Sequence, residues 1–247
     1  MNCSVGNLEI SPQSSDLGTF FTVANCDNPV KEVNLYQEAK GGVSGGTTET
    51  MFSRAELPKK MSNPFLLNPK GSVSEKQRIL SKDGIRIQKI KELGLWSGVG
   101  IMALINTRTV RRSIALMKEN GKPYGNDFVF REFGAYKKKW VAKVVSLLLL
   151  GFAASLKSPF KPLLRKVMKK PGEGPSKEAR ETGWFRSNFV ATMEDGSTKV
   201  CRISSSGDPG YKCTSMMVSE SALCLARNDN LPGGKNFGGI KKKRNVS

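Results

Sequence analysis

Two glycine-bearing blocks constrain this chain more than any other feature. The first, Lys40-Gly41-Gly42-Val43-Ser44-Gly45-Gly46-Thr47, follows an alternating strand-like run and opens a helix-like one. The second, Ser204-Ser205-Ser206-Gly207-Asp208-Pro209-Gly210-Tyr211, again lies between a strand pattern and a helix pattern. Glycine loses more conformational freedom on folding than any other residue. Such blocks are therefore placed where the backbone must turn sharply or approach something closely.

The runs around them predict interleaved strands and helices. Ser14 or Ser15 can cap a helix through Phe21 and Val23, with Asp16 in its first turn. Val30 to Ala39 alternates, Val33 and Leu35 against Glu32 and Asn34, as a half-buried strand does. A helix from about Thr47 to Leu57 follows the first block and is stopped by Pro58. Residues 58–98 show little periodicity and many prolines and glycines, which reads as a long connection of the kind that often covers a site.

Ile101 to Glu119 carries the strongest helix pattern, ended by Asn120-Gly121 with Pro123 beyond. Ala103, Val110, Ile114 and Met117 share one face, which puts Arg108, Arg111 and Arg112 on the opposite side. Phe128, Phe130 and Phe133 mark a further strand. Trp184 to Met193 and Thr198 to Ser204 read as a hairpin across Glu194-Asp195-Gly196-Ser197. A last helix runs from about Tyr211 to Arg227. The expected class is α/β to α+β, a mixed sheet with packed helices.

Composition removes several chemistries. The chain has 247 residues and no histidine, which excludes a Ser-His-Asp triad and any imidazole acid–base step, and argues against a zinc site. Five cysteines without a CxxC pair read as reduced, buried thiols in a cytosolic-side protein. The first twenty residues lack a basic segment followed by an apolar one. Tyr124 and the tryptophans Trp96, Trp140 and Trp184 read as core or interface packing.

The net charge of +19 is local. Residues 137–170 hold ten basic side chains and no acidic one, and the tail Lys241-Lys242-Lys243-Arg244 adds four. The remainder is near balance, with 26 basic residues against 21 acidic. Within the basic region, Val144 to Leu156 is a thirteen-residue apolar run, shorter than the roughly 20 needed to span a bilayer. Phe160, Leu163, Leu164, Val167 and Met168 then fall on one helical face, with Lys161, Arg165, Lys166, Lys169 and Lys170 on the rest. That pattern suits a helix lying in an anionic membrane interface. A core helix pair with a basic rim is the plainer alternative. Nucleic acid is disfavoured, because no aromatic stripe accompanies the charge.

The first block could offer backbone N–H groups and the Ser44, Thr47 and Thr48 hydroxyls to an anionic or carbonyl ligand. It could equally be a tight turn where strand and helix pack closely. It is no P-loop, because the Lys-Ser/Thr pair is missing after the glycines. The second block puts the Asp208 carboxylate and the Tyr211 phenol on one rigid turn, or is an Asx-Pro turn with Tyr211 covering the core edge. Arg108, Arg111 and Arg112 could clamp a carboxylate or phosphate, or form a solvated helix face.

Taken in order, several stretches resemble the saccharopine dehydrogenase-like oxidoreductases, which include the trans-acting enoyl reductases. They are Ser15-Asp16-Leu17-Gly18, Lys40 to Thr47, Asn63-Pro64-Phe65-Leu66-Leu67-Asn68-Pro69, Asn106-Thr107-Arg108 with Val110-Arg111-Arg112-Ser113, Pro171-Gly172-Glu173-Gly174-Pro175, and Gly207 to Tyr211 running into Thr214-Ser215 and Glu220-Ser221-Ala222-Leu223. The nucleotide-binding βαβ unit with its glycine fingerprint has no counterpart here, and the chain turns into the basic tail 241–247 where the family continues.

The resemblance thus implies that residues 1–240 are the substrate-side portion of such an enzyme, truncated at both ends. It further implies NAD or NADP as cofactor of the complete enzyme and a lipid-like substrate in glycolipid or lipid metabolism. A location on membranes or lipid droplets is also implied. On that reading Tyr211 is the proton donor and Asp208 orients it, while Ser44, Gly45, Gly46, Thr47, Arg108 and Arg111 bind substrate. Phe160, Leu164, Arg165, Lys166, Lys169 and Lys170 would face the membrane. The chain alone is expected to bind no cofactor. A non-catalytic peripheral membrane protein that keeps the scaffold is the alternative, and a homodimer is left open.

Overall fold

The structure, a computed structural model, describes residues 2–6, 12–41, 45–55, 63–82, 85–170 and 172–227. Its strands are β1 (Asn2–Gly6), β2 (Val30–Lys40), β3 (Lys89–Ile90), β4 (Leu95–Gly98), β5 (Val129–Tyr136), β6 (Trp184–Met193) and β7 (Thr198–Ser206). Its helices are α1 (Pro12–Ala24), α2 (Gly45–Ala55), α3 (Glu75–Leu80), α4 (Ala103–Glu119), α5 (Lys139–Ser155), α6 (Lys161–Val167), α7 (Lys177–Thr182) and α8 (Lys212–Arg227). The strands form one sheet in the order β1-β7-β6-β2-β5-β4-β3. β1 runs parallel to β7 and β2 parallel to β5, while the remaining pairs are antiparallel. The fold is a mixed sheet with packed helices, as the interleaved patterns require.

Alternation along the strands builds two apolar layers. Val33, Leu35, Phe130, Phe185, Phe189 and Ile203 meet Val110 and Ile114 of α4 and Cys213 of α8 in the larger one. Tyr36, Ile90, Phe133, Ala135 and Val190 form the smaller cluster on the other face. Each fully buried large side chain stabilises the fold by about 1.5–3 kcal/mol relative to exposure. α1 approaches the sheet closely because residue 18 is glycine: a Cβ there would lie 2.2 Å from the Phe189 ring. The Glu194–Ser197 turn closes the β6–β7 hairpin, with Gly196 at φ +83°.

Several expectations need correction. The helix α1 begins at Pro12, so Ser14 and Ser15 are buried helix residues rather than caps, and Asp16 is not in the first turn. The connection 58–98 contains α3 and the edge strands β3 and β4, elements too short for a periodicity signal. Arg108 and Arg111 are buried rather than solvated, and the segment around Asn63–Pro69 covers Arg111. Tyr124 is buried as expected, but Trp140 is 62% exposed. Cys201 and Cys213 are buried, as expected, whereas Cys224 is exposed. Residues 42–44 and the tail 241–247 lie outside the described residues.

Candidate functional site

Strands β2, β5 and β7 run the same way, since β6 is antiparallel to both β2 and β7. Their carboxyl ends therefore share one edge of the sheet, which is where open α/β sheets take ligands. Both glycine blocks leave the sheet at this edge, one from β2 and one from β7. Close backbone approach joins them: a Cβ at Gly41 would lie 3.0 Å from Pro209 Cδ and 3.5 Å from Asp208 Cβ. Residues 172–175 arrive at the same place. The Gly45 N–H donates to the Glu173 carbonyl at 2.9 Å, and the Tyr211 ring lies over Gly174, within 3.3 Å of where a Cβ would be.

Asp208 organises the second block. It is fully buried, and its carboxylate accepts from the N–H groups of Gly210 at 3.1 Å, Tyr211 at 3.2 Å and Lys212 at 3.0 Å. An acceptor in this position satisfies donors that α8 would otherwise leave orphaned, and favours the positive end of the helix. Its own N–H donates to the Arg180 carbonyl at 2.8 Å, and Gly207 donates to the Gly183 carbonyl at 2.7 Å. Asp208 thus holds Tyr211 through the backbone N–H, not through the phenol. The Tyr211 side chain is left 37% exposed, with its ring packed on Gly174.

The structure brings Asp208, Tyr211, Gly41, Gly45 and Gly174 together. Gly45 and Gly46 form the first turn of α2. Thr47 follows them on that helix, and Ser44 lies outside the described residues. Arg108 and Arg111 belong to a different cluster on α4. Arg111 donates to the carbonyls of Ser81 at 2.6 Å and Phe130 at 3.3 Å, and its guanidinium stacks 5.0 Å from the Phe65 ring centroid. Arg112 donates to the Leu67 carbonyl at 2.6 Å, and the Asn68 amide donates back to the Arg111 carbonyl at 3.0 Å. Arg108 bonds to the Leu104 carbonyl one turn earlier. The Asn63–Pro69 stretch is therefore strapped onto α4 by Arg111 and Arg112.

Sequence reasoning missed a buried polar cluster beside it. Glu132 of β5 accepts from Ser15 Oγ at 3.3 Å and from Asn106 Nδ2 at 2.9 Å, and Gln37 Nε2 donates to Ser15 Oγ at 3.5 Å. At the next residue of α1, the Asp16 carboxylate accepts from Ser113 Oγ of α4 at 2.7 Å. Burial outweighs that bond and raises the Asp16 carboxyl to about 6. The only advance signal was the polar residues inside two otherwise amphipathic helices.

The basic-apolar region follows the sheet edge. Arg165 of α6 pairs with Glu49 of α2 at 2.9 Å and lies 5.2 Å over the Phe52 ring, and Lys169 donates to the Gly174 carbonyl at 3.0 Å. Phe160, Leu163 and Val167 point outward, at least 61% exposed, while Leu164 is half-buried. Lys166 and Lys170 are exposed, and the Lys170 N–H donates to the Glu173 carboxylate. No described helix is long and apolar enough to cross a membrane.

Dinucleotides are held by a strand–turn–helix unit with a glycine fingerprint at the helix N-terminus. Residues 7–11, between β1 and α1, include no glycine, and β1 and β2 are separated in the sheet by β7 and β6. The described residues do not fit such a cofactor cradle.

No protein-family model and no solved structure matches the chain. Among curated proteins, it is 34% identical over 206 residues to one of Mycobacterium tuberculosis provisionally named a trans-acting enoyl reductase, an alignment covering 76% of this chain and 48% of the relative. The trans-acting enoyl reductase of Mycobacterium ulcerans is 30% identical over 141 residues, covering 54% of this chain and 33% of the relative. The chain thus spans about half the length of the first of these relatives, and its similarity is to proteins named trans-acting enoyl reductases.

Proposed function

We propose that this chain is the substrate-side part of an NAD(P)H-dependent enoyl reductase of saccharopine dehydrogenase-like type. On this reading it acts on a lipid-like acyl substrate in lipid or glycolipid metabolism at an anionic membrane or lipid droplet surface. The observation that carries the reading is the convergence of Gly41, Gly45, Gly174 and the Asp208–Tyr211 turn at the carboxyl edge of the sheet. Reduction of a conjugated C=C adds a hydride to one carbon and a proton to its neighbour. Without histidine in the chain, the Tyr211 phenol is the proton donor: its O–H breaks as the new C–H forms, and its exposure lets water restore the proton. Asp208 acts as a positioning residue by fixing the backbone of residues 210–212.

What supports a lipid-like substrate is where the edge lies. The Arg165–Glu49 pair ties α6 to α2, whose first residue bonds to Glu173, next to the Gly174 that supports Tyr211. A substrate drawn from a surface touching α6 would meet Tyr211 without crossing the sheet.

The test is an amide titration of the isotopically labelled chain with an α,β-unsaturated acyl thioester. Shifts concentrated at Gly41, Gly45, Gly174 and residues 207–212 support the reading. Shifts confined to Arg111 and the Asn63–Pro69 strap would place the ligand elsewhere and reject it.

A further inference from the structure

α5 presents an apolar face to solvent. Trp140, Val144, Leu147 and Leu148 follow one helical stripe. Leu147 is 71% exposed, Leu148 66% and Trp140 62%. On the opposite side Ala142 and Ser146 are buried against β4 and β5, where Ser146 Oγ accepts from the Val99 N–H at 3.0 Å. The helix is therefore anchored by one side while the other, the more apolar, has no cover among the described residues. Exposed contiguous apolar surface of this kind marks an interaction site.

Charge selects the occupant. Lys137, Lys138, Lys139 and Lys143 lie at one end of the stripe, and Lys157 and Lys161 beyond the other. No acidic residue occurs anywhere in 137–170. A second copy of the chain docked across this face would bring a lysine rim against a lysine rim with nothing nearby to neutralise it. An anionic bilayer surface instead offers headgroups to the lysines and acyl chains to the stripe. The 17 residues of α5 extend about 25 Å, long enough to lie along the surface and shorter than a span.

We propose that α5 is the element that enters the anionic lipid surface, through Trp140, Val144, Leu147 and Leu148. In this arrangement α6 is the strut that links it to the site, since Arg165 is engaged with Glu49 and Phe52. This assignment rests on the membrane reading given above and names the part of the chain that makes the contact.

Trp140 provides the probe. The full chain carrying Trp96→Phe and Trp184→Phe keeps Trp140 as its sole tryptophan. It is mixed with phosphatidylglycerol–phosphatidylcholine vesicles whose acyl chains are brominated. Binding with quenching of Trp140 is the expected result. Leu147→Asp with Leu148→Asp should lower the vesicle partition coefficient by more than about tenfold, because removing even one buried leucine from an apolar phase corresponds to at least that factor. Both positions are exposed, so circular dichroism should be unchanged. Leu163→Asp with Val167→Asp on α6 should have the smaller effect.

Vesicle binding without Trp140 quenching, lost in the α6 variant and kept in the α5 variant, overturns the α5 assignment and leaves the membrane reading standing. Failure of the unaltered chain to bind anionic vesicles overturns both. A stable dimer in solution that Leu147→Asp/Leu148→Asp dissociates would assign the stripe to self-association and overturn the proposal as well.

Discussion

Gly183 lies directly beneath Asp208: a Cβ at position 183 would sit 2.6 Å from Asp208 Cα and 2.8 Å from its nitrogen. Backbone, not a flexible side chain, is what it would strike, so the neighbour cannot yield without moving the whole turn. Gly183 has φ −62°, an ordinary value for any residue, so its requirement is space alone. Gly183→Ala should destabilise the chain by about 1–3 kcal/mol, the range for overpacking a close contact. Urea denaturation measures it. Amide shifts should concentrate at residues 207–212, because Asp208 transmits the displacement to the start of α8.

Stability should fall as pH rises through the interval between the ordinary carboxylate value and about 6. Asp16 is raised to about 6 by burial, so within that interval the folded chain keeps a proton that the unfolded chain has released. The contribution is fully present below the interval and lost above it, on the order of 2–3 kcal/mol. Asp127 and Asp195 are held below the usual range, chiefly by hydrogen bonds from Ser74 and Ser197 respectively, so their losses come at lower pH. Asp16→Asn should flatten the fall while keeping a partner for Ser113. Denaturant midpoints at about pH 4 and about pH 7, in parent and variant, check it.

Much of the fold was legible because its strands carry their own pattern. The span of β6 and its hairpin to β7 follow from alternation and the Glu-Asp-Gly-Ser turn, and α4 from its period and its Asn-Gly stop. β3 and β4 were not legible, since two and four residues are too few for a period to show. The burial of Arg111 was not legible for a physical reason: a helical wheel cannot foresee that carbonyls from residues 64 and 81 will arrive to solvate its guanidinium inside the protein. The two glycine blocks announced close approach, but not to what. Their mutual contact through Gly41 and Pro209 depends on strand order, which neither block encodes.

The chain by itself should bind neither NADH nor NADPH appreciably, because its sequence carries no glycine fingerprint between strand and helix. Calorimetric titration is expected to give no saturable heat. A micromolar dissociation constant would show that the sheet edge, rather than a separate nucleotide-binding unit, receives the dinucleotide.

Turnover of a Tyr211→Phe variant, with a cofactor domain supplied in frame by the complete enzyme or by fusion, tests the reading of the sheet edge most directly. Only the hydroxyl of a residue that is itself 37% exposed is removed, and Gly174 still supports the ring, so the fold and the substrate KM should be retained. kcat for reduction of an α,β-unsaturated acyl thioester should fall by roughly 10²–10⁴, the worth of a positioned general acid. A folded Tyr211→Phe enzyme with unchanged kcat would contradict the account and place the proton donor elsewhere.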